Sequence, residues 1–550
     1  MDQTSRQTGR PVTMAPRGMV AAPHYLASQA GVWAMQQGGN AVDAAIAANL
    51  VLSVVYPHRA GLGGDAFFMI WQSGRHEPIC LNGSGASAYN ATLQFYRDRG
   101  HEVMPQRGPL AANTVPGAVA AWGDVHSRWG SLAWEQLFEP ALHYAESGFP
   151  VTANLARALE RARQILERND EAREIFFHDG RPYQVGEILI QKDLARTLET
   201  LAADGCQVFY SGEVADEIVS FLQRHGGLLT AQDLQDHHSD WVDPLRTTYR
   251  GRSLYELPPS TQGLAALLIF NVLEGFDIQA MGDDSARYYH TMVEAAKAAL
   301  ADLDRWIADP NFVALPLEQL LSREYAAGRR ALIPPDRARP LRDYASGILR
   351  QEQPQSAALP GSTAYIAAAD AGGLAVSLIQ SLHADFGAGV VAGETGVLLQ
   401  NAGSAFKLEA ADPNRLEPHK RPFQALIPAM MFESGRPWLI FGTSGGDGQP
   451  QIQAALLSRV VDLGYNIQQA IEAPRWLYEP IAGEDGERVR IEGWMADAVL
   501  RELRAMGYNL KVIDGWSDVM GQAQGILVDQ EHGVFHGGAD PRGDGLALGW

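Results

Sequence analysis

At Gly361-Ser362-Thr363 the chain changes character abruptly. From Pro334 to Gly361 it reads PPDRARPLRDYASGILRQEQPQSAALPG, rich in proline, charge and polar side chains, a composition that predicts a mobile linker. From Thr363 it reads TAYIAAAD, then AGG, then LAVSLIQSL. Two apolar runs about a glycine turn predict a β-hairpin, and apolar residues on both faces predict burial between layers. A linker running straight into a core strand makes physical sense if the chain is cut there. A threonine hydroxyl is a weak nucleophile at neutral pH and needs a base. As the first residue of a chain, threonine carries its own base, an α-amine with an unperturbed pKa of ~8. Before the cut, the same hydroxyl can attack the Ser362 carbonyl and give an ester that water opens. The small residues Gly361 and Ser362 permit the tight turn this attack needs. Taken alone, a threonine at a strand start expresses β-propensity, so its meaning depends on what surrounds it.

The surrounding elements are readable. Asn40 is an N-cap with Asp43 three residues on. The run that follows, AAIAANLVLSVVY, is apolar on nearly every side, predicting a buried helix that Pro57 stops. GLGGDAFFMIW sets a glycine-rich turn before a strand, and LNGSGASAYNA reads as a loop. Residues 132–229 are mainly helical in pattern, Thr230 with Asp233 begins a short helix, and LPPSTQG is a turn. Tyr289, Met292, Val293, Ala296 and Leu300 form a core-facing helical stripe. No solenoid repeat or long low-complexity tract is present.

The 550 residues suggest more than one domain, or one large layered fold. A net charge of −20 argues against a nucleic-acid binder, which needs a basic patch. Cys80 and Cys206 form no metal pair and read as two free thiols. The first residues lack a hydrophobic signal core, and Ala44 to Tyr56 is too short to span a bilayer. The expectation is a cytoplasmic protein with no membrane partner.

STAYIAAADAGGLAVSLIQSLHADFGAGVVAGETGVLLQNAGSAF resembles the start of the small subunit of the γ-glutamyltransferase family. GGNAVDAAIAANLVLSVVYPHRAGLGGDAFFMI, TVPGAVAAW, LPPSTQGLAALLIFNVLEGFD, EAAKAALADLDRWIADP, GTSGGDGQPQ and DPRGDGLALG resemble family blocks in family order, over nearly the whole chain. The resemblance implies an α/β (α+β) fold, the four-layer αββα sandwich of N-terminal-nucleophile hydrolases. It implies self-cleavage into a large subunit, 1–362, with 334–361 as its linker, and a small subunit, 363–550. The two stay together as a heterodimer that can dimerise further. It places the nucleophile on Thr363 and a hydroxyl bonded to it on Ser381. It places the oxyanion donors on Gly445 and Gly446, where glycine allows backbone N–H groups to approach closely. No metal or organic cofactor is implied.

Departures from the family pattern bear on the substrate. The arginine that holds a glutamate α-carboxylate falls on Ser84, and the aspartate that holds the α-amine falls on Ala405. A serine pair that contacts the carboxylate falls on Gln424 and Ala425, and a substrate-contacting asparagine on His383. Serine cannot replace a bidentate, charge-assisted carboxylate partner. The chain is therefore similar to the divergent branch that includes oxamate amidohydrolases and γ-glutamyltransferase-like proteins, with cephalosporin acylases related. His383 and Gln424 are the expected readers of a small amide substrate. Arg421 and Arg59 are the alternative cations in motif regions.

His237-His238 lacks the partners of a metal motif and reads as a solvated helix end, and GAGVVAG and GLGGDA do not fit nucleotide loops. Two other functions stay open: a γ-glutamyl hydrolase or transferase acting on glutathione, and an uncleaved binding protein. Intact mass separates enzyme from binder. Cleavage before Thr363 gives fragments of about 39 and 20 kDa from the 59.7 kDa chain, and Thr363→Ala stays whole. A wild type that remains whole in active form overturns the nucleophile.

Overall fold

A computed structural model describes residues 9–344, 361–480 and 486–550. Two antiparallel seven-stranded sheets stack face to face. The first runs, edge to edge, Thr13–Ala15, Val534–Ala539, Ala523–Asp529, Arg436–Thr443, Ala429–Glu433, Arg252–Glu256 and Leu245–Tyr249. The second runs Leu546–Gly549, Gly18–Ala22, Gly361–Asp370, Leu374–Ala384, Asp65–Gln72, Ile79–Gly83 and Asp240–Val242. The expected hairpin is the centre of this second sheet, and its first strand starts two residues before Thr363.

Side chains alternate across a strand, and the two phases of the nucleophile strand enter different cores. Tyr365, Ala367 and Ala369 join Phe67, Met69 and Ile379 against Met430, Ile440 and Ile526 of the other sheet. Ala364, Ile366 and Ala368 face outward into the helices. The strand is apolar on both faces because it has a layer on each side.

The helix Ala41–Val55 covers the outer face of this sheet, with all 15 residues buried. Its start is over-determined. Asn40 and Asp43 form the capping box, and Asp370, at the far end of the nucleophile strand, accepts the Ala41 N–H at 2.7 Å. Helices Gly263–Leu273, Ala286–Trp306 and Gln449–Val461 cover the outer face of the first sheet. The layers are αββα, as expected.

Two local expectations need correction. The proline-rich stretch starts as a packed arm. Pro334 O bonds His290 at 2.6 Å, Ala338 N–H donates to Met506 O at 2.7 Å, and the buried Tyr344 hydroxyl donates to Glu294 at 2.6 Å. The rest of the expected linker, 345–360, lies outside the described residues. His237 is not a solvated residue; its ring stacks on Tyr210 with centroids 5.2 Å apart. Cys80 and Cys206 are both free. Among the described residues no helix is long and apolar enough to cross a membrane, and no cluster of side chains could hold a metal.

The DPRGDG block forms a buried ionic knot. Arg542 grips Glu492 through two bonds of 2.5 and 2.6 Å and reaches Asp540 at 3.1 Å, while Arg475 pairs with Asp540 from the other side. Burial alone would raise the Asp540 carboxyl; the two guanidiniums outweigh it and hold the group below its ordinary value. Arg475 also donates to Gly521 O at 2.9 Å, so the knot fixes a loop near the site. Arg542→Met leaves buried carboxylates short of a partner and should destabilise the fold by about 3–5 kcal/mol. Urea unfolding checks this, and Arg542→Met with Glu492→Met should recover part of the loss.

Candidate active site

Thr363, Ser381 and Asp65 stand in one row across three neighbouring strands, Thr363 opposite Ser381 and Ser381 opposite Asp65. Thr363 is in phase with Tyr365, Ser381 with Ile379 and Asp65 with Phe67. All three therefore point into the space between the sheets, at its end. The turn before Asp65 is glycine-rich because it lies on this row: a Cβ on Gly64 would sit 2.4 Å from the Ser381 carbonyl oxygen.

The register slips between Ser362 and Thr363. At this bulge the Ser362 carbonyl accepts a 2.5 Å bond from the Ser381 hydroxyl, while Ser381 Oγ lies 3.4 Å from Thr363 Oγ1 and accepts the His383 N–H at 2.7 Å. Ser362 is held on its other side, its hydroxyl donating to His58 O. Both residues are buried. The arrangement supplies a proton path for attack on the Ser362 carbonyl. Along it, a proton could pass from Thr363 Oγ1 to Ser381 Oγ and from Ser381 Oγ to the Ser362 carbonyl oxygen.

The opposite sheet brings the expected oxyanion donors. Gly445 and Gly446 have φ of 137° and 54°, conformations that favour glycine. They precede the helix Gln449–Val461, whose N-terminus favours negative charge, and their turn packs on the nucleophile strand. Arg59 fixes the approach to this turn. Its guanidinium bonds Ser444 Oγ at 3.2 Å and Asp518 at 3.3 Å, so it positions the turn and is not a free cation. Gln262 locks the other side, donating 2.8 Å bonds to both Gly446 O and Ala425 O.

The residues expected to read the substrate are placed unevenly. His383 lies opposite Ser362 with φ of 75°. Burial, with the Arg107 charge adding to it, lowers its imidazole to about 4, so it is neutral at physiological pH. Ser84 is fully buried and turns its hydroxyl onto Asn82 at 2.6 Å. Arg421 donates to Ser84 O at 2.9 Å but is paired with Asp240. Ala405 carries no polar group, and its carbonyl is taken by Asn414 at 2.8 Å. Gln424 donates its amide to Asp65 at 2.7 Å.

Asp65 was missed by sequence reasoning, which read GLGGDA for its glycines. The available signal was a carboxylate opening an otherwise apolar strand. Four donors converge on it: Gly85 N–H at 3.1 Å, Gly117 N–H at 3.2 Å, Gln400 at 2.9 Å and Gln424 at 2.7 Å. Burial still pushes its carboxyl up to about 7 against those bonds.

Two stacked antiparallel sheets between helical layers, with a buried threonine on a central strand, are the fold of an N-terminal-nucleophile hydrolase. The gamma-glutamyltranspeptidase family model matches residues 27–550, and the chain belongs to that family. It is 42% identical to the glutathione hydrolase-like YwrD proenzyme of Bacillus subtilis, over 96% of this chain and 98% of the relative. It is 36% identical to the oxamate amidohydrolase proenzyme of Klebsiella pneumoniae, over 98% and 99%. Cephalosporin acylase from Bacillus halodurans superposes with a TM-score of 0.89 at 34% identity, over 99% of this chain and 98% of that one. The protein is thus an amidohydrolase proenzyme that cleaves itself into a large and a small subunit.

Ser362→Ala removes the hydroxyl that pins Ser362 to His58 O. It should slow self-cleavage roughly tenfold, the worth of about one hydrogen bond. Ser381→Ala removes the donor to the Ser362 carbonyl and should slow it by about 10²–10³-fold. Timed denaturing gels of purified precursor measure both.

Proposed function

We propose that the chain is cut between Ser362 and Thr363 and that Thr363 then hydrolyses a small, oxamate-like amide rather than glutathione. Thr363 attacks the amide carbonyl, Gly445 and Gly446 take the oxyanion, and the freed α-amine protonates the leaving nitrogen. Water then opens the acyl ester. The observation that carries the substrate choice is the state of the glutamate-binding positions. Ser84 is spent on Asn82, Ala405 is apolar, and Gln424 is spent on Asp65. Near the nucleophile the polar reader is His383, with the Arg107 charge beside it, which suits an acyl group whose carboxylate lies next to the scissile carbon. The named relatives include both an oxamate amidohydrolase and a glutathione hydrolase-like proenzyme.

One observation favours a second reading, a γ-glutamyl hydrolase. Arg421 lies against Ser84, the position of the missing clamp arginine, and would have to leave Asp240 and the Ser84 and His238 carbonyls to reach a ligand. Ammonia release from oxamate and glutamate release from glutathione decide between the two. A missing charge-assisted partner costs about 1.5–3 kcal/mol, so kcat/KM for oxamate should exceed that for glutathione by roughly 10–150-fold. The reverse order establishes the second reading. Activity should rise with pH as the Thr363 amine loses its proton, near pH ~8 if unperturbed. His383→Asn should leave that limb in place, because His383 is already neutral above about 4.

A further inference from the structure

The Asp65–Gln424 bond joins the two sheets. Asp65 opens a strand of one; Gln424 belongs to the segment leading into the Ala429–Glu433 strand of the other. Both ends are fixed. Gln424 N–H donates to Ser260 O at 3.0 Å, and Gln424 O accepts the Gln262 N–H at 3.2 Å. The other Asp65 oxygen is held by Gly85, Gly117 and Gln400. Asp65 and Gln424 are 1% and 2% exposed, so the contact cannot open without stranding a buried carboxylate. In this contact Gln424 turns its NH₂ towards Asp65.

From this we infer that Asp65 and Gln424 form a bar that ends the acyl side of the site, admitting acyl groups of two or three carbons and rejecting those with a distal carboxylate. The inference rests on Thr363 as nucleophile. At 4.7–4.9 Å between strands, Asp65 stands about 10 Å from Thr363 along the row. A γ-glutamyl group carries its head about 5 Å beyond the scissile carbon, in the interval next to the bar. Above about pH 7, where Asp65 is ionised, its carboxylate, about 5 Å further along the row, repels the carboxylate of that head. An oxalyl group ends short of it. Arg421 lies behind the bar: it bonds Ser84 O, and the next residue, Gly85, bonds Asp65 from that side. The bar therefore separates Thr363 from the cation that could bind a glutamate head. Asp65 and Gln424 act as specificity-determining residues, and neither touches the reacting atoms.

Wild-type enzyme tests this with oxamate, malonamate, succinamate and glutaramate, in which the carboxylate moves one methylene further out at each step. The expected result is kcat/KM for glutaramate at least a hundredfold below that for oxamate, with the fall beginning when the carboxylate reaches the bar. A flat series, or one rising with length, overturns the bar. Gln424→Ser should raise the ratio of γ-glutamyl-p-nitroanilide to oxamate turnover at least tenfold, and Arg421→Gln added to it should cancel the gain. A cleaved Gln424→Ser enzyme with an unchanged ratio, or a gain indifferent to Arg421, also overturns it. Gln424→Asn, one methylene shorter, gives the same reading if the serine variant does not mature. Splitting of the wild-type chain before Thr363 on a denaturing gel is scored separately, so failure of the nucleophile is distinguished from failure of the bar.

Discussion

The Ser381 hydroxyl lies between the Thr363 hydroxyl and the Ser362 carbonyl, and much of the molecule serves to keep it there. A threonine oxygen is a poor nucleophile, and in the precursor its natural base, the α-amine, is locked in a peptide bond. The proposed attack then depends on moving one proton over a short, fixed path. A neighbouring strand supplies such a path because antiparallel pairing sets the spacing of facing side chains to within about an ångström. Ser381 faces Thr363 for the same reason that Ile379 faces Tyr365. The bulge at Ser362 breaks that regularity by one residue, enough to turn the preceding carbonyl onto the serine hydroxyl.

Around this contact, polar side chains from both sheets are tied to the frame. Arg59 leaves the end of the buried helix and holds Ser444; Gln262 holds Gly446 and Ala425. These bonds fix the glycine turn before any substrate arrives. A preorganised donor costs no reorganisation during reaction, so the stiffest elements, two central strands and two helix ends, suit the proposed chemistry. The ionic knot of Arg475, Asp540, Arg542 and Glu492 extends the same rigidity to the Gly521 loop.

Much of this was legible in the residues. Hairpin pattern, glycine turn and buried helix each follow from local composition, and the opposition of Thr363 to Ser381 follows from counting back through the AGG turn. Less legible were the partners that depend on two distant segments meeting. Nothing in GLGGDA or in RPFQAL states that Asp65 and Gln424 will bond across the sheets, and nothing in HKRPF states that Arg421 will be held by Asp240. The packed arm of Pro334–Tyr344 was hidden for a related reason. Its prolines and charges describe an irregular backbone, but irregular backbone packs well when Glu294 and His290 satisfy it.

On the proposed reading, the same row of residues governs both cleavage and substrate choice. In the precursor, the acyl group presented to Thr363 is that of Ser362, whose side chain is short and is drawn aside to His58. On the proposed reading, an incoming amide places its carbonyl where the Ser362 carbonyl stood and uses the same Ser381. Nothing about that exchange requires a long acyl chain; it requires a carbonyl, a compact group beside it and room for a leaving nitrogen. Length matters only further along the row, where Asp65 stands two strands away. Selection for a different acyl group can act at that end without disturbing the nucleophile, because the strands between them are held by a core indifferent to both. A fold that separates chemistry from acyl recognition by strand positions can keep Thr363 and Ser381 constant while its substrate changes.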